Sequence, residues 1–453
     1  MADRPNILLV IADDMGVHQL GCYGSGYYET PCLDRLAAGG ARFATAYGAS
    51  PVCSPSRAAL YTGLHPARLH LTNYIPGTAP ANPRLMTPPW RAYLPVEVDT
   101  LGDLLGRRGY ATGHFGKWHL ARDYDYAPGR PTDPESQGFA SVLVTRKPAA
   151  DADPEADPHH VDRLTDAAIA FVREPRDQPF LCVVAHNALH RPELAPAALC
   201  ARFAAKPGAD GDACRPVLAA MTARLDASVG RLLGALEEAG RRRDTVVVFV
   251  SDHGALGRST VRKPLRGAKA DLYEGALRVP CIVSLPGVIP PGERGGVAFG
   301  TDLVPTLLEL AGARVPDGLD GVSLVRSLRE GTAAGEGREE LCWHFPHYHH
   351  LGLAPGGAIR AGPWKLLEWY ERTIGGAGDG PACELFHLGQ DPGETRDVSA
   401  LHPGLCAELR GRLRAWRRRV GAQEMTRNPD FDPGAPGTTA PPPPGDPAHP
   451  FGP

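Results

Sequence analysis

Asn6-Ile7-Leu8-Leu9-Val10-Ile11-Ala12-Asp13-Asp14 is a continuous apolar run that stops at two carboxylates. Thr245-Val246-Val247-Val248-Phe249-Val250-Ser251-Asp252-His253-Gly254 repeats the pattern far along the chain. A run apolar at every position, rather than at alternate ones, reads as a strand covered on both faces, the signature of a parallel sheet flanked by helices. Helical patterns lie between such runs. Thr30-Pro31 opens one through about Ala38, with Thr as N-cap and Pro in the first turn. Thr100 caps another that ends near Gly109. Tyr110 to Phe115 and Phe180 to Ala185 read as further strands. Leu218, Met221, Leu225, Val229, Leu232, Leu233 and Leu236 fall at helical spacing, with Gly240 as a stop. The alternation predicts an α/β fold, a large mostly parallel sheet sandwiched by helices. In such sheets ligand sites gather at the carboxyl ends of strands, where both acidic turns fall.

After about Gly335 the composition shifts to aromatics and His, with short strand-like runs such as Trp364 to Trp369 and a helix around Leu405 to Val420. Three regions are therefore expected. Residues 1–335 form a catalytic domain, 336–433 a smaller C-terminal α+β subdomain with a small antiparallel sheet and helix, and 434–453 a Pro-rich disordered tail. Leu85 to Pro95 reads as a Pro-rich loop and Ala149 to His160 as an acidic loop.

The chain of 453 residues has 43% apolar and 22% charged residues and a net charge of -3. That is ordinary for a globular protein and carries no basic footprint for nucleic acid. No apolar run approaches the roughly 18 residues of a membrane span. The first apolar run ends at Asp13-Asp14 without a small-residue cleavage site, so it reads as a core strand, not a signal peptide, and a cytoplasmic location is expected. The ten cysteines show no C-x-x-C pair, and most are expected to be reduced and buried.

Two adjacent carboxylates on a tight turn repel each other unless a cation lies between them, and hard cations such as calcium prefer such oxygen clusters. Asp13-Asp14 and Asp252-His253 are each also readable as plain solvated turns. Cys53-Ser54-Pro55-Ser56-Arg57 stands at the start of a helix expected over Ser56 to Thr62, where free N–H groups favour anions and lower a thiol pKa.

Cys53-Ser54-Pro55-Ser56-Arg57-Ala58-Ala59-Leu60-Tyr61-Thr62-Gly63 resembles the C-x-P-S-R-x-x-x-L-T-G signature of the formylglycine-dependent sulfatases, of the alkaline-phosphatase-like superfamily, with Tyr61 where Leu is usual. Gly116-Lys117-Trp118-His119-Leu120, His190-Arg191-Pro192 (with Leu189 in place of the usual Pro), Ser251-Asp252-His253-Gly254, Gly267-Ala268-Lys269 with Tyr273-Glu274-Gly275, and Glu384-Leu385-Phe386 with Asp391-Pro392-Gly393-Glu394 are similar to the family's other blocks, in the family's order. The match runs over roughly residues 5–433.

The resemblance implies a sulfuric ester hydrolase in which a separate maturation enzyme oxidises Cys53 to formylglycine (3-oxoalanine). As a hydrated aldehyde, residue 53 would present two hydroxyls. One attacks sulfur, and the other loses a proton so that the aldehyde reforms and sulfate leaves, a step that a plain thiol or Ser lacks. The implied metal ligands are Asp13, Asp14, residue 53, Asp252 and His253. Calcium is the implied ion, with magnesium as the alternative, since a nitrogen ligand at His253 is unusual for calcium. Asp252 is also placed to take the nucleophile's proton. Arg57 holds the aldehyde hydrate, Lys117 and Lys269 clamp the sulfate, His119 is the base for the second hydroxyl, and His190 with Lys269 protonates the leaving oxygen.

His344, His347, His349 and His350 form a His-rich run, read here as a substrate-pocket loop with His347 in contact with substrate. His186 reads equally as a substrate contact or a satisfied strand-end histidine. The expected substrate is a small sulfated sugar of the galactose or N-acetylgalactosamine type. Competing readings are a formylglycine-dependent phosphonate or phosphate monoester hydrolase, and an inactive protein that binds sulfated glycans.

Overall fold

The computed structural model describes residues 4–209, 214–256, 265–351, 354–376 and 381–434. The tail expected from residue 434 lies, from 435 on, outside the described residues.

Eight strands build the central sheet: Asn6–Ala12 (β1), Ala41–Phe43 (β2), Ala111–Gly116 (β3), Ser141–Val144 (β4), Phe180–Ala185 (β5), Thr245–Ser251 (β6), Cys281–Ser284 (β7) and Gly292–Arg294 (β8). Their spatial order is β8-β2-β7-β6-β1-β5-β3-β4. β1 pairs in parallel with both β5 and β6, and β3 with both β5 and β4. β7 runs antiparallel to β6 and β2, so the expected sheet is mostly parallel with one reversed strand.

The continuous apolar reading of β1 has a direct structural cause. Ile7, Leu9 and Ile11 enter a core with Ala58, Leu60 and Tyr61 of helix Cys53–Thr62 (α2). Leu8, Val10 and Ala12 enter a second core on the other face with Leu33 and Leu36 of helix Pro31–Ala38 (α1), Leu164 and Ala168 of helix Val161–Arg173 (α3), and Leu218, Leu225 and Val229 of helix Cys214–Glu238 (α4). Successive side chains of a strand point to opposite faces, so a strand between two helical layers has no polar position.

Four antiparallel strands follow: Leu341–Phe345 (β9), Gly356–Ala361 (β10), Trp364–Trp369 (β11) and Cys383–His387 (β12), in the order β9-β10-β11-β12. Helix Pro403–Val420 (α5) packs Leu409, Leu413 and Trp416 against Ile359, Leu366 and Leu385 of this sheet. Buried charges tie it to the rest of the molecule. Lys365 of β11 lies 3.0 Å from Glu274 and 2.9 Å from Glu394. Among the described residues no helix is long and apolar enough to cross a membrane.

Candidate active site

The expected site residues leave the carboxyl ends of neighbouring strands: Asp13-Asp14 after β1, Lys117 after β3 and Asp252-His253 at the end of β6. α2 starts at Cys53, three residues earlier than its sequence suggests, because Pro55 is tolerated in a first turn whose N–H groups have no helical partner. Tyr61 packs inward and shares a 2.9 Å hydrogen bond with His114. Two local devices fix the geometry. Gly116 sits at φ +121°, where a Cβ would lie 1.9 Å from the Ala185 carbonyl. Only glycine lets β3 close on β5 there, so that Lys117 N donates to Ala185 O at 2.8 Å. Asp14 and His119 occupy left-handed backbone at φ +62° and +59°. For non-glycine residues that costs about 1–3 kcal/mol, tolerated where surrounding contacts over-determine it.

Three cations face three carboxylates. Lys117 Nζ lies 2.7 Å from Asp13 Oδ2. Lys269 Nζ lies 2.8 Å from Asp14 Oδ1. Arg57 Nε donates to Asp252 Oδ2 at 3.0 Å, its Nη1 to the Lys117 carbonyl at 3.0 Å, and its Nη2 stands 3.5 Å from Asp13 Oδ1. The Ser56 hydroxyl donates to the Asp252 carbonyl, clamping the first turn of α2 to the end of β6. Both lysines are thus inside the protein, not on its surface. Burial would lower Lys269, but Asp14 and Cys53 outweigh it and hold the ammonium above its ordinary pKa.

Cys53 stands at the centre. Its Sγ is 3.3 Å from His253 Nε2, 3.4 Å from Lys269 Nζ and 3.6 Å from Asp13 Oδ1. Burial would raise this thiol, yet Lys117, Lys269 and His253 outweigh it and hold it well below its ordinary pKa. Asp13, Asp14, Cys53 and His253 each offer a donor atom, all within 4.8 Å of one another. His253 Nδ1–H donates to the Gly254 carbonyl at 3.0 Å, which leaves the Nε2 lone pair 3.0 Å from Asp14 Oδ1. A lone pair and a carboxylate oxygen repel at that distance unless a cation or proton lies between them. Burial disfavours a charged His253, but Asp252, Cys53 and Asp14 overcome it and raise its pKa well above normal. Two carboxylates, a ring nitrogen fixed by its second nitrogen's hydrogen bond, and residue 53 form a donor set that fits a divalent cation.

Asp252, the fifth expected ligand, is not among those four donors, but its Oδ1 lies 3.7 Å from His253 Nε2. Its Oδ2 accepts from Arg57, and its Oδ1 accepts from the backbone N–H of Asp14 at 3.2 Å and of His253 at 2.9 Å. Burial pushes it up to about 7, against the pull of His253 and Arg57.

A cleft of about 100 Å³ opens on Cys53, and His119, His190 and Lys269 line it as expected. His119 Nε2–H donates to the Ile75 carbonyl at 2.7 Å, which leaves Nδ1 as the basic nitrogen. Burial lowers the His119 pKa more than the neighbouring Cys53 sulfur lifts it. His190 Nδ1–H donates to the Arg191 carbonyl at 2.8 Å, and its Nε2 is 4.0 Å from Asp14 Oδ2. His347 does not line the cleft. It is buried under Trp90 and Phe345 with Nε2 2.8 Å from the Thr72 hydroxyl, and burial pushes it down to about 3. His349 and His350 occupy the cleft wall instead. His186 is a fully buried residue, with Nε2 3.2 Å from the Ser228 hydroxyl and no hydrogen-bond partner at Nδ1. Tyr74, Tyr124, Lys147 and Arg191 also line the cleft. They sit on irregular segments where periodicity is silent, and only Arg191 lay inside a recognisable block.

The sulfatase family model matches residues 5–313. The model of the N-sulphoglucosamine sulphohydrolase C-terminal region matches residues 268–418. Arylsulfatase A of Homo sapiens is 32% identical over 88% of this chain and 84% of its own length. N-acetylgalactosamine-6-sulfatase of Homo sapiens is 29% identical over 87% of this chain and 81% of its own. The crystal structure of Ps i-CgsB in complex with k-i-k-neocarrahexaose superposes with a TM-score of 0.74 at 27% identity, covering 91% of this chain and 93% of that one. The chain therefore belongs to the sulfatase family, of alkaline-phosphatase-like fold, and is a sulfuric ester hydrolase.

Proposed function

We propose that this protein hydrolyses a sulfate monoester on a sugar of the galactose or N-acetylgalactosamine type, with residue 53 matured to formylglycine and a calcium ion beside it. The observation that carries the reading is the position of residue 53, within 3.6 Å of a lysine, a histidine and a carboxylate at the floor of the cleft. The two relatives named for sugar or aryl sulfates and the oligosaccharide complex support it.

The hydrated aldehyde of formylglycine supplies a nucleophilic hydroxyl and, after transfer, a second hydroxyl whose loss of a proton releases sulfate. Asp13, Asp14, His253 and residue 53 would hold the ion, which would supply Lewis acidity when bound. Lys117 and Lys269 bind the anionic sulfate oxygens, each positioned by the carboxylate that faces it, Asp13 or Asp14. Arg57 orients residue 53 and Asp252 together. Asp252, pushed up to about 7, holds or releases a proton near neutrality. Neutral His119 takes a proton at Nδ1, since Nε2–H is committed to Ile75. His190 hands a proton from Nε2 to the leaving oxygen, because its Nδ1–H is committed to Arg191.

The test is sulfate release by matured protein from galactose and N-acetylgalactosamine sulfates, beside phosphate monoesters and a Cys53→Ala control. Release from the sulfated sugars that disappears in the control supports the reading. Faster turnover of the phosphate monoesters replaces it with the phosphatase reading, and no release with intact sugar binding replaces it with the glycan-binding reading.

A further inference from the structure

The cleft floor is built for sulfate, but its rim is built from rings. Tyr124 stacks on His119 with centroids 5.0 Å apart and planes at 26°. His119 is hydrogen-bonded to Ile75 O, next to Tyr74 in the chain. Tyr74 in turn packs on His349 at 5.1 Å and on His350 at 5.6 Å, and shares a 3.1 Å hydrogen bond with His350 Nδ1. His349 and His350 stack on each other at 4.3 Å. These five rings come from three distant stretches of chain in two contacting groups, Tyr124 with His119 and Tyr74 with His350 and His349, and all five residues line the same cleft as Cys53. Tyr124 remains 43% exposed.

Size decides what these rings can do. A cavity of about 150 Å³ is filled by a benzene ring, whereas this cleft holds about 100 Å³. With sulfate seated against Lys117 and Lys269, the rest of the substrate must lie at the mouth, against the rings. Tyr and His rings there offer a rigid apolar face edged with polar groups. A pyranose has the matching form, with a C–H face that packs on rings and hydroxyls at its edge. We infer that the rings of Tyr124, His119, Tyr74, His350 and His349 are together the specificity element of this enzyme, selecting sulfate esters of a single sugar ring over acyclic sulfate esters. This inference rests on the proposed sulfatase reading and adds to it the ring selectivity and the residues responsible.

The test compares kcat/KM of matured enzyme for galactose 6-sulfate and N-acetylgalactosamine 6-sulfate with that for propyl sulfate. Taking each variant's ratio of sugar to propyl sulfate cancels general damage to the site. Tyr124→Ala and, separately, Tyr74→Ala are expected to lower that ratio by about tenfold, the worth of one ring contact, and Tyr124→Phe to restore it. A purely structural role, including one through His119, would lower both substrates together and leave the ratio unchanged, and that result overturns the inference. If one alanine variant fails to fold, the other is read on the same scale. Equal wild-type preference for sugar and propyl sulfate also overturns it while leaving sulfatase function intact. If the wild type releases no sulfate from any of the three, the functional reading itself falls and takes this inference with it.

Discussion

Lys269 Nζ lies 2.8 Å from Asp14 Oδ1, and this buried ion pair joins the segment after β6 to the end of β1 across the floor of the cleft. The same nitrogen is 3.4 Å from Cys53 Sγ, so one cation faces both the Asp14 carboxylate and residue 53.

Lys269→Met should therefore fail twice. Loss of a preorganised donor at developing charge costs about 100-fold or more in kcat. Asp14 would keep His253 as a close cationic neighbour but lose its buried lysine, so the fold should also lose stability. Steady-state kinetics on an aryl sulfate and a thermal melt, run on the same preparation, check both halves. A variant with normal kcat would remove Lys269 from the site.

A divalent ion that binds only the folded site must stabilise it by mass action. The melting temperature is expected to rise with added calcium, to fall after chelation, and to lose its calcium dependence in Asp13→Asn. Calorimetric titration of calcium into the chelated protein gives the same answer without turnover. Equal melting curves with and without calcium would contradict the assigned ligand set.

Acid should unfold the protein through its buried neutral histidines. Burial pushes His65 down to about 4 and His344 and His347 to about 3. Their folded pKa values lie below the unfolded value of about 6.5, so their contribution is full above that pH and is lost as pH falls toward 4. In that window the unfolded chain binds more protons, and each such histidine steepens the fall by up to about 1.4 kcal/mol per pH unit. Urea midpoints at pH 7, 6 and 5 should fall progressively, and His347→Gln should flatten the slope between pH 6 and 5. An unchanged slope in that variant would count against a neutral buried His347.

The link between the two sheets should be brittle. Lys365→Met leaves Glu274 and Glu394 buried and facing each other without their shared cation. A loss of about 3–5 kcal/mol is expected, partly recovered when Glu394→Gln is added. Chemical denaturation of the single and double variants measures this. A single variant as stable as wild type would show that the pair does not hold the antiparallel sheet in place.

Much of this was legible in sequence because it rests on local chemistry. The strands Phe180–Ala185 and Trp364–Trp369 begin and end where their strand-like runs do. Thr100 caps its helix with its own hydroxyl, as its place before Leu101 suggests. Residues 13, 14, 53, 57 and 117 converge because each is anchored at a strand end or a helix start, while Lys269 reaches them from an irregular segment before helix Glu274–Leu277. What stayed hidden depends on packing between distant segments. α2 starts at Cys53 rather than at the expected Ser56, and its first turn is clamped to the end of β6, a contact between segments far apart in the chain. His347 and His349 look equivalent in a His-rich run, yet the turn after β9 buries one against Thr72 and brings the other to the cleft. Tyr74 and Tyr124 carry no periodic signal at all.

The most direct measurement is the peptide mass of the segment containing Cys53, from protein co-expressed with a formylglycine-generating enzyme. A mass loss matching conversion of the thiol to an aldehyde, together with sulfate release that disappears in Cys53→Ala, is the result expected here. An unmodified thiol despite active maturation enzyme, or sulfate release that persists in Cys53→Ala, would contradict the assignment of residue 53 as the reacting group.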